Sequence, residues 1–123
     1  MNATTEKRSH CRNPARIPGA FRPLETVDRD DLVCSTIDIS HGGLRLRSPG
    51  QPIIRKGDAV LVSIHCDEPA GLIDVQGQVR WLKKHQRKKD GWDMGVRLRA
   101  HELAKWTLWL EEASTIYESL AEV

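Results

Sequence analysis

The sequence predicts a mainly β protein, an antiparallel barrel or sandwich of about six short strands closed by one C-terminal helix. Period-two alternation recurs between residues 17 and 99, clusters of turn residues separate the alternating runs, and no helix-period segment comes between them. After residue 100 the apolar residues recur at three- and four-residue steps instead, with neither Gly nor Pro.

The polar stretch before Cys11 has little apolar surface to offset the entropy of ordering, so residues 1–11 read as a flexible tail. The barrel is expected over 12–100 and the helix over 101–123. From Ile17 the chain turns extended, with Pro18 and Pro23 suited to strand ends because neither can donate to a ladder. Leu32 to Ile39 is rich in β-branched residues, as a strand should be. Gly42 and Gly43 then permit positive φ and start a hairpin into Leu44-Arg45-Leu46-Arg47. Val60, Val62 and Ile64 alternate with Leu61, Ser63 and His65. Ile73, Val75, Gly77, Val79 and Trp81 alternate with polar residues in the cleanest half-buried pattern of the chain, and Trp92, Met94, Val96 and Leu98 give the last strand. In the helix, Leu103, Trp106 and Leu110 are the expected anchors on the barrel, with Ala113, Tyr117 and Leu120 continuing the stripe. Trp109 and Ile116 widen it beyond what a narrow seam needs, a surplus available to a partner or to a homodimer.

A chain of 123 residues forms one domain that buries about two-thirds of its unfolded surface without staples. Its 19 basic and 17 acidic side chains leave a net charge of only +2, so any anion site must be local rather than global. Cys11, Cys34 and Cys66 are odd in number and lack C-x-x-C spacing, which argues against a disulfide framework or zinc site and for a reducing, cytoplasmic setting. No stretch approaches the ~18 apolar residues of a membrane span. The five histidines have no ligand spacing, and no nucleophile elbow or paired-carboxylate cleft points to catalysis, so neither a metal nor an enzyme is expected. Lys83, Lys84, Arg87, Lys88 and Lys89 cluster at an expected hairpin tip. A solvated turn is the ordinary reading there and a patch for an acidic partner or nucleic acid the rival one.

Two motifs stand out against this background. Asp38-Ile39-Ser40-His41-Gly42-Gly43 reads D-x-S-x-x-G where a strand runs into a turn, and Arg12-Asn13-Pro14-Ala15-Arg16 reads R-x-x-x-R before the first strand. They are followed by Lys56-Gly57-Asp58, then Val79-Arg80-Trp81, then Gly95-Val96-Arg97-Leu98. In this order and spacing the chain resembles the PilZ domain family from about Arg12 to Arg99, with Leu98 in place of an aromatic often found at that position.

The resemblance implies a six-stranded PilZ-like barrel that binds cyclic di-GMP and acts as a bacterial receptor or adaptor for an effector protein that the sequence does not name. It assigns Arg12 and Arg16 to guanine O6 and N7, to stacking and to phosphate charge, since a planar guanidinium donates two parallel hydrogen bonds. Asp38 would accept from guanine N1–H and N2–H and so select the base. Ser40 would donate to a phosphate, with Gly42 and Gly43 opening backbone N–H groups to the anion. Arg8 shares the four-residue spacing with Arg12 and would add charge. Trp81 falls where family members place an aromatic near the base, although a tryptophan on an alternating strand is more often core. Cys11, in place of an arginine ahead of the motif, implies one ligand per protomer. The rival function is a ligand-independent interaction module using the Trp106/Trp109 helix.

Overall fold

In the computed structural model, which describes residues 16–25, 31–85 and 91–114, six antiparallel strands close into a barrel. They are β1 (Pro18–Pro23), β2 (Leu32–Ile39), β3 (Gly43–Ser48), β4 (Ala59–His65), β5 (Leu72–Lys84) and β6 (Trp92–Leu98). The order around the barrel is β1-β2-β3-β6-β5-β4, and β4 pairs back to β1, so the sheet has no open edge. Pro18 and Pro23 sit at the two ends of β1, where a missing N–H costs least.

Alternation fills the interior as the sequence implies. Val60, Val62 and Ile64 of β4, Ile73, Val75 and Val79 of β5, and Met94, Val96 and Leu98 of β6 all point inward and are buried. Thr36 is buried among them with its polar group satisfied: its Oγ1 accepts the Ile17 N–H at 2.8 Å, and its own N–H donates to the Ile17 carbonyl at 3.0 Å. Cys34 is a free thiol in this interior, and burial pushes its pKa up to about 12.

Two strands break their period with a β-bulge. Thr36 pairs with Leu46 and Asp38 with Arg45, leaving Ile37 as the extra residue of β2. Val79 pairs with Val96 and Trp81 with Gly95, leaving Arg80 as the extra residue of β5. Each bulge reverses which residues face inward. Strict alternation would carry Cys34 and Thr36 on to an inward Asp38; instead Asp38 turns out and Ile39 turns in. Likewise Trp81, expected on the inner face with Val79, is turned to the outer wall, and Leu82 packs against the core.

A 3-10 turn (Ala100–Glu102) leads into helix α1 (Leu103–Ala113), which lies over one end of the barrel. Trp106 is fully buried and donates its indole N–H to the Ser40 carbonyl at 2.8 Å, in the β2–β3 turn. Trp109 donates to the Gly71 carbonyl at 3.0 Å, in the β4–β5 connection, and its ring stacks on Trp106 at 5.3 Å between centroids. Leu110 and Ala113 complete the buried face. Leu103, expected as an anchor, is instead 37 % exposed, because the 3-10 turn tightens the helix start and the inward stripe begins at Trp106. Both tryptophans of the rival interaction surface are thus turned into the core. Residues 1–15, which hold the expected tail, and 115–123, which hold the expected distal helical turns, lie outside the described residues.

Glu102 fastens the junction. Its carboxylate accepts the Gln76 N–H at 2.6 Å and pairs with Lys105 at 3.1 Å. Burial alone would raise its pKa, but the Gln76 hydrogen bond and Lys105 outweigh it and hold the carboxyl below its ordinary value. Asp93, hydrogen-bonded by Arg47 at 2.8 and 3.2 Å, is likewise lowered against the pull of burial. A folded-state pKa lowered in this way adds stability that is present above the ordinary carboxylate range and lost as pH falls through the lowered value. The urea midpoint of the wild type is therefore expected to decline below roughly pH 4. Glu102→Gln, which keeps an acceptor but cannot titrate, should show a shallower decline from pH 5 to pH 3; an identical profile would remove Glu102 from this role.

Candidate functional site

The two bulges aim their next residues at the same strip of outer wall. Across β2, β3, β6 and β5 the pairing runs Asp38 to Arg45, Arg45 to Gly95, and Gly95 to Trp81, so a carboxylate, a guanidinium, a bare backbone position and an indole stand in one cross-strand row. A pocket of about 210 Å³ opens on that row. Ser40, Gly42 and Gly43 line it at the β2–β3 turn, with Arg97 paired beside Gly43, and Arg80 lines it next to Trp81. Five residues singled out in the sequence, Asp38, Ser40, Gly42, Gly43 and Trp81, therefore meet in one place.

The charges are unbalanced in favour of an anion. Among the described lining residues, Arg45, Arg80 and Arg97 stand against a single carboxylate, Asp38. Arg45 Nε lies 3.4 Å from Asp38 Oδ2, which is a charge contact rather than a well-formed hydrogen bond, and that Nε is buried with no hydrogen-bond acceptor among the described residues. A surplus of two positive charges in a shallow, partly desolvated pocket attracts a dianion locally although the whole chain is nearly neutral.

The β2–β3 turn is held from three directions. Ser40 donates both its N–H (2.9 Å) and its Oγ (3.1 Å) to the Gly43 carbonyl, Leu98 N–H donates to Gly42 O at 2.9 Å, and Trp106 holds Ser40 O. The Ser40 hydroxyl proton is thus directed at its own turn and would have to rotate to donate into the pocket. Neither Gly42 nor Gly43 has the positive φ expected of them; among the described residues only Gly57 and Gly71 do. Gly43 is needed for another reason, since a Cβ there would overlap the Val96 carbonyl of β6. Gly42 faces open space.

Arg16 is exposed and is not among the residues lining the pocket. It immediately precedes Ile17, whose backbone pairs with Thr36, and so enters the barrel beside the β2 bulge, next to the strand that carries Asp38. Arg8 and Arg12 lie outside the described residues. Of the basic hairpin tip, Lys83 and Lys84 are exposed at the end of β5, and residues 86–90 are likewise outside. Arg45, Arg80, Arg97 and Gly95 were not picked out as site residues from sequence. The signal available was their place on the polar phase of β3 and β6, or at the bulge, but no local pattern marks which outward residues converge.

A closed six-stranded antiparallel barrel with a basic pocket on its outer wall and a helix over one end defines a small β-barrel domain with a candidate binding pocket among the described residues. The PilZ domain model matches residues 6–106, and the chain belongs to that family. Solved structures share the fold. The PilZ domain of YcgR from Escherichia coli, determined with c-di-GMP, is 12% identical with a TM-score of 0.64, covering 91% of this chain and 95% of that one. The Bacillus subtilis inhibitor of motility MotI/DgrA is 17% identical with a TM-score of 0.59 over 77% of this chain, which spans only 45% of MotI. No curated protein sequence matches the chain. Among the described residues, no helix is long and apolar enough to cross a membrane.

Proposed function

We propose that this PilZ domain is a cyclic di-GMP receptor that binds the nucleotide in the pocket between Asp38 and Trp81 and, on binding, changes the surface it offers to a partner protein. The observation that carries this reading is the cross-strand row itself. It sets a guanine-type acceptor, an aromatic face and surplus positive charge within one pocket, which is the set of groups a guanine-bearing dianion requires. The PilZ domain of YcgR, which was determined with the same nucleotide, supports it from outside.

In this reading Asp38 accepts from guanine N1–H and N2–H, Trp81 stacks on a base, and Arg45, Arg80 and Arg97 supply phosphate-directed charge. Ser40 turns its hydroxyl from Gly43 to a phosphate, while Gly42 and Gly43 leave the backbone accessible. Arg12 and Arg16, with Arg8 adding charge, close over the ligand from the β1 side, where Arg16 enters. Folding of that segment onto the barrel is the switch, and the adaptor acts on its effector through the surface so formed. The role is binding rather than turnover, and the free thiols Cys34 and Cys66 suit a reducing cytoplasm.

Calorimetric titration with cyclic di-GMP tests the reading directly. One ligand per protomer is expected, with cyclic di-AMP bound far more weakly. Arg16→Ala removes a set of charge-assisted donors and should weaken binding by about 1.5–3 kcal/mol, ten- to more than a hundredfold. Equal affinity for the two nucleotides would defeat guanine recognition, and an unaffected Arg16→Ala would exclude that arginine from the site.

A further inference from the structure

Gly95 is an odd residue to find in the middle of β6. It pairs with Arg45 on one side and Trp81 on the other, and a glycine inside a strand costs entropy and packs nothing of its own. Its φ does not lie in the left-handed region, so the backbone does not demand it. The neighbouring side chain does. A Cβ built on Gly95 would overlap Nε1 and Cε2 of the Trp81 indole and would stand 2.9 Å from Cδ1. The five-membered ring of Trp81 therefore lies directly over the Gly95 backbone, in space that any other residue would fill.

We propose that Gly95 is a positioning residue for the ligand: by lacking a Cβ it lets the Trp81 indole lie down across β6 and present the pocket with an aromatic face for one purine base of a cyclic dinucleotide. This rests on the function proposed above and deepens it. Three features combine to build the platform. The Arg80 bulge turns the indole outward, Gly95 lets it settle against the sheet, and Arg45, the other neighbour of Gly95, borders it with positive charge. An alanine at 95 would lift the ring into the volume that the base must occupy. The sheet would survive, because the displaced group is a half-buried side chain rather than backbone.

The competing account is that the indole merely covers a weak strand position, a known way for an aromatic residue to rescue a glycine. A double-mutant cycle separates the two. Cyclic di-GMP affinity and melting temperature are measured for the wild type, G95A, W81A and the double variant. G95A and W81A should each weaken binding roughly five- to hundredfold, the range of base stacking on an aromatic ring, and the double variant should be no worse than W81A within about twofold. Acrylamide quenching, taken as the difference between each protein and its W81A counterpart, should show a more accessible Trp81 in G95A without any ligand present. A lowered melting temperature with wild-type affinity in G95A would overturn the proposal, as would losses that multiply in the double variant. Binding by the wild type with no loss in G95A removes this inference alone; no binding by the wild type removes the function and the inference together.

Discussion

Trp106→Ala is expected to lower stability by about 3–5 kcal/mol, the range for emptying a large buried aromatic site. Trp106 is the largest fully buried side chain among the described residues, and it sits where α1 meets the barrel end. Its removal opens a cavity, strips Trp109 of its stacking partner and leaves the Ser40 carbonyl without the indole N–H. A domain of this size has a total stability of roughly 5–15 kcal/mol, so the variant should be partly unfolded near physiological temperature. Trp106→Phe retains most of the apolar volume and loses the N–H, which should cost much less, with about 1 kcal/mol assignable to the hydrogen bond. Urea unfolding of the three proteins checks this. Wild-type stability in Trp106→Ala would mean that α1 is not part of the folded core.

Asp38→Ala is expected to weaken cyclic di-GMP binding about ten- to hundredfold, the equivalent of 1.5–3 kcal/mol for hydrogen bonds to a charged acceptor. The sign is the informative part. The described pocket lining holds three arginines and one carboxylate, and Arg45 Nε lies 3.4 Å from that carboxylate. Deleting Asp38 makes the pocket more positive and releases Arg45. On charge alone any dinucleotide dianion should then bind more tightly. Guanine recognition demands the opposite, because the N1–H and N2–H donors lose their acceptor, and the loss should fall on cyclic di-GMP and not on cyclic di-AMP. Titration of both nucleotides against the variant decides between the two; tighter binding of cyclic di-GMP would refute the role given to Asp38.

Much of this molecule was legible in the chain because it is written locally. Alternating residues over Ile73 to Val79, the turn residues between the runs and the Gly- and Pro-free stretch after residue 100 each reflect a period that a single segment carries within itself. D-x-S-x-x-G is equally local, and Asp38, Ser40, Gly42 and Gly43 stand together in the pocket lining largely because they adjoin in sequence. Leu103 shows where local reading stops. It belongs to the apolar stripe by spacing, yet the 3-10 turn and the seating of Trp106 and Trp109 on two carbonyls set the helix so that the stripe begins one turn later.

By itself the sequence determined a β-barrel with a C-terminal helix, the positions of its strands, and the acid, hydroxyl and glycines of the candidate site. Tertiary structure alone decided that Asp38 and Trp81 share a pocket, that Arg45, Arg80 and Arg97 surround it, and that Gly95 lies beneath the indole. The reason is the register between strands. The bulges at Ile37 and Arg80 exist only in relation to a partner strand with one residue fewer across the same span, and a one-residue change of phase moves a side chain from core to surface. No period within β2 or β5 records it, so alternation kept Trp81 inside with Val79, while pairing with Gly95 turned it out to face the pocket.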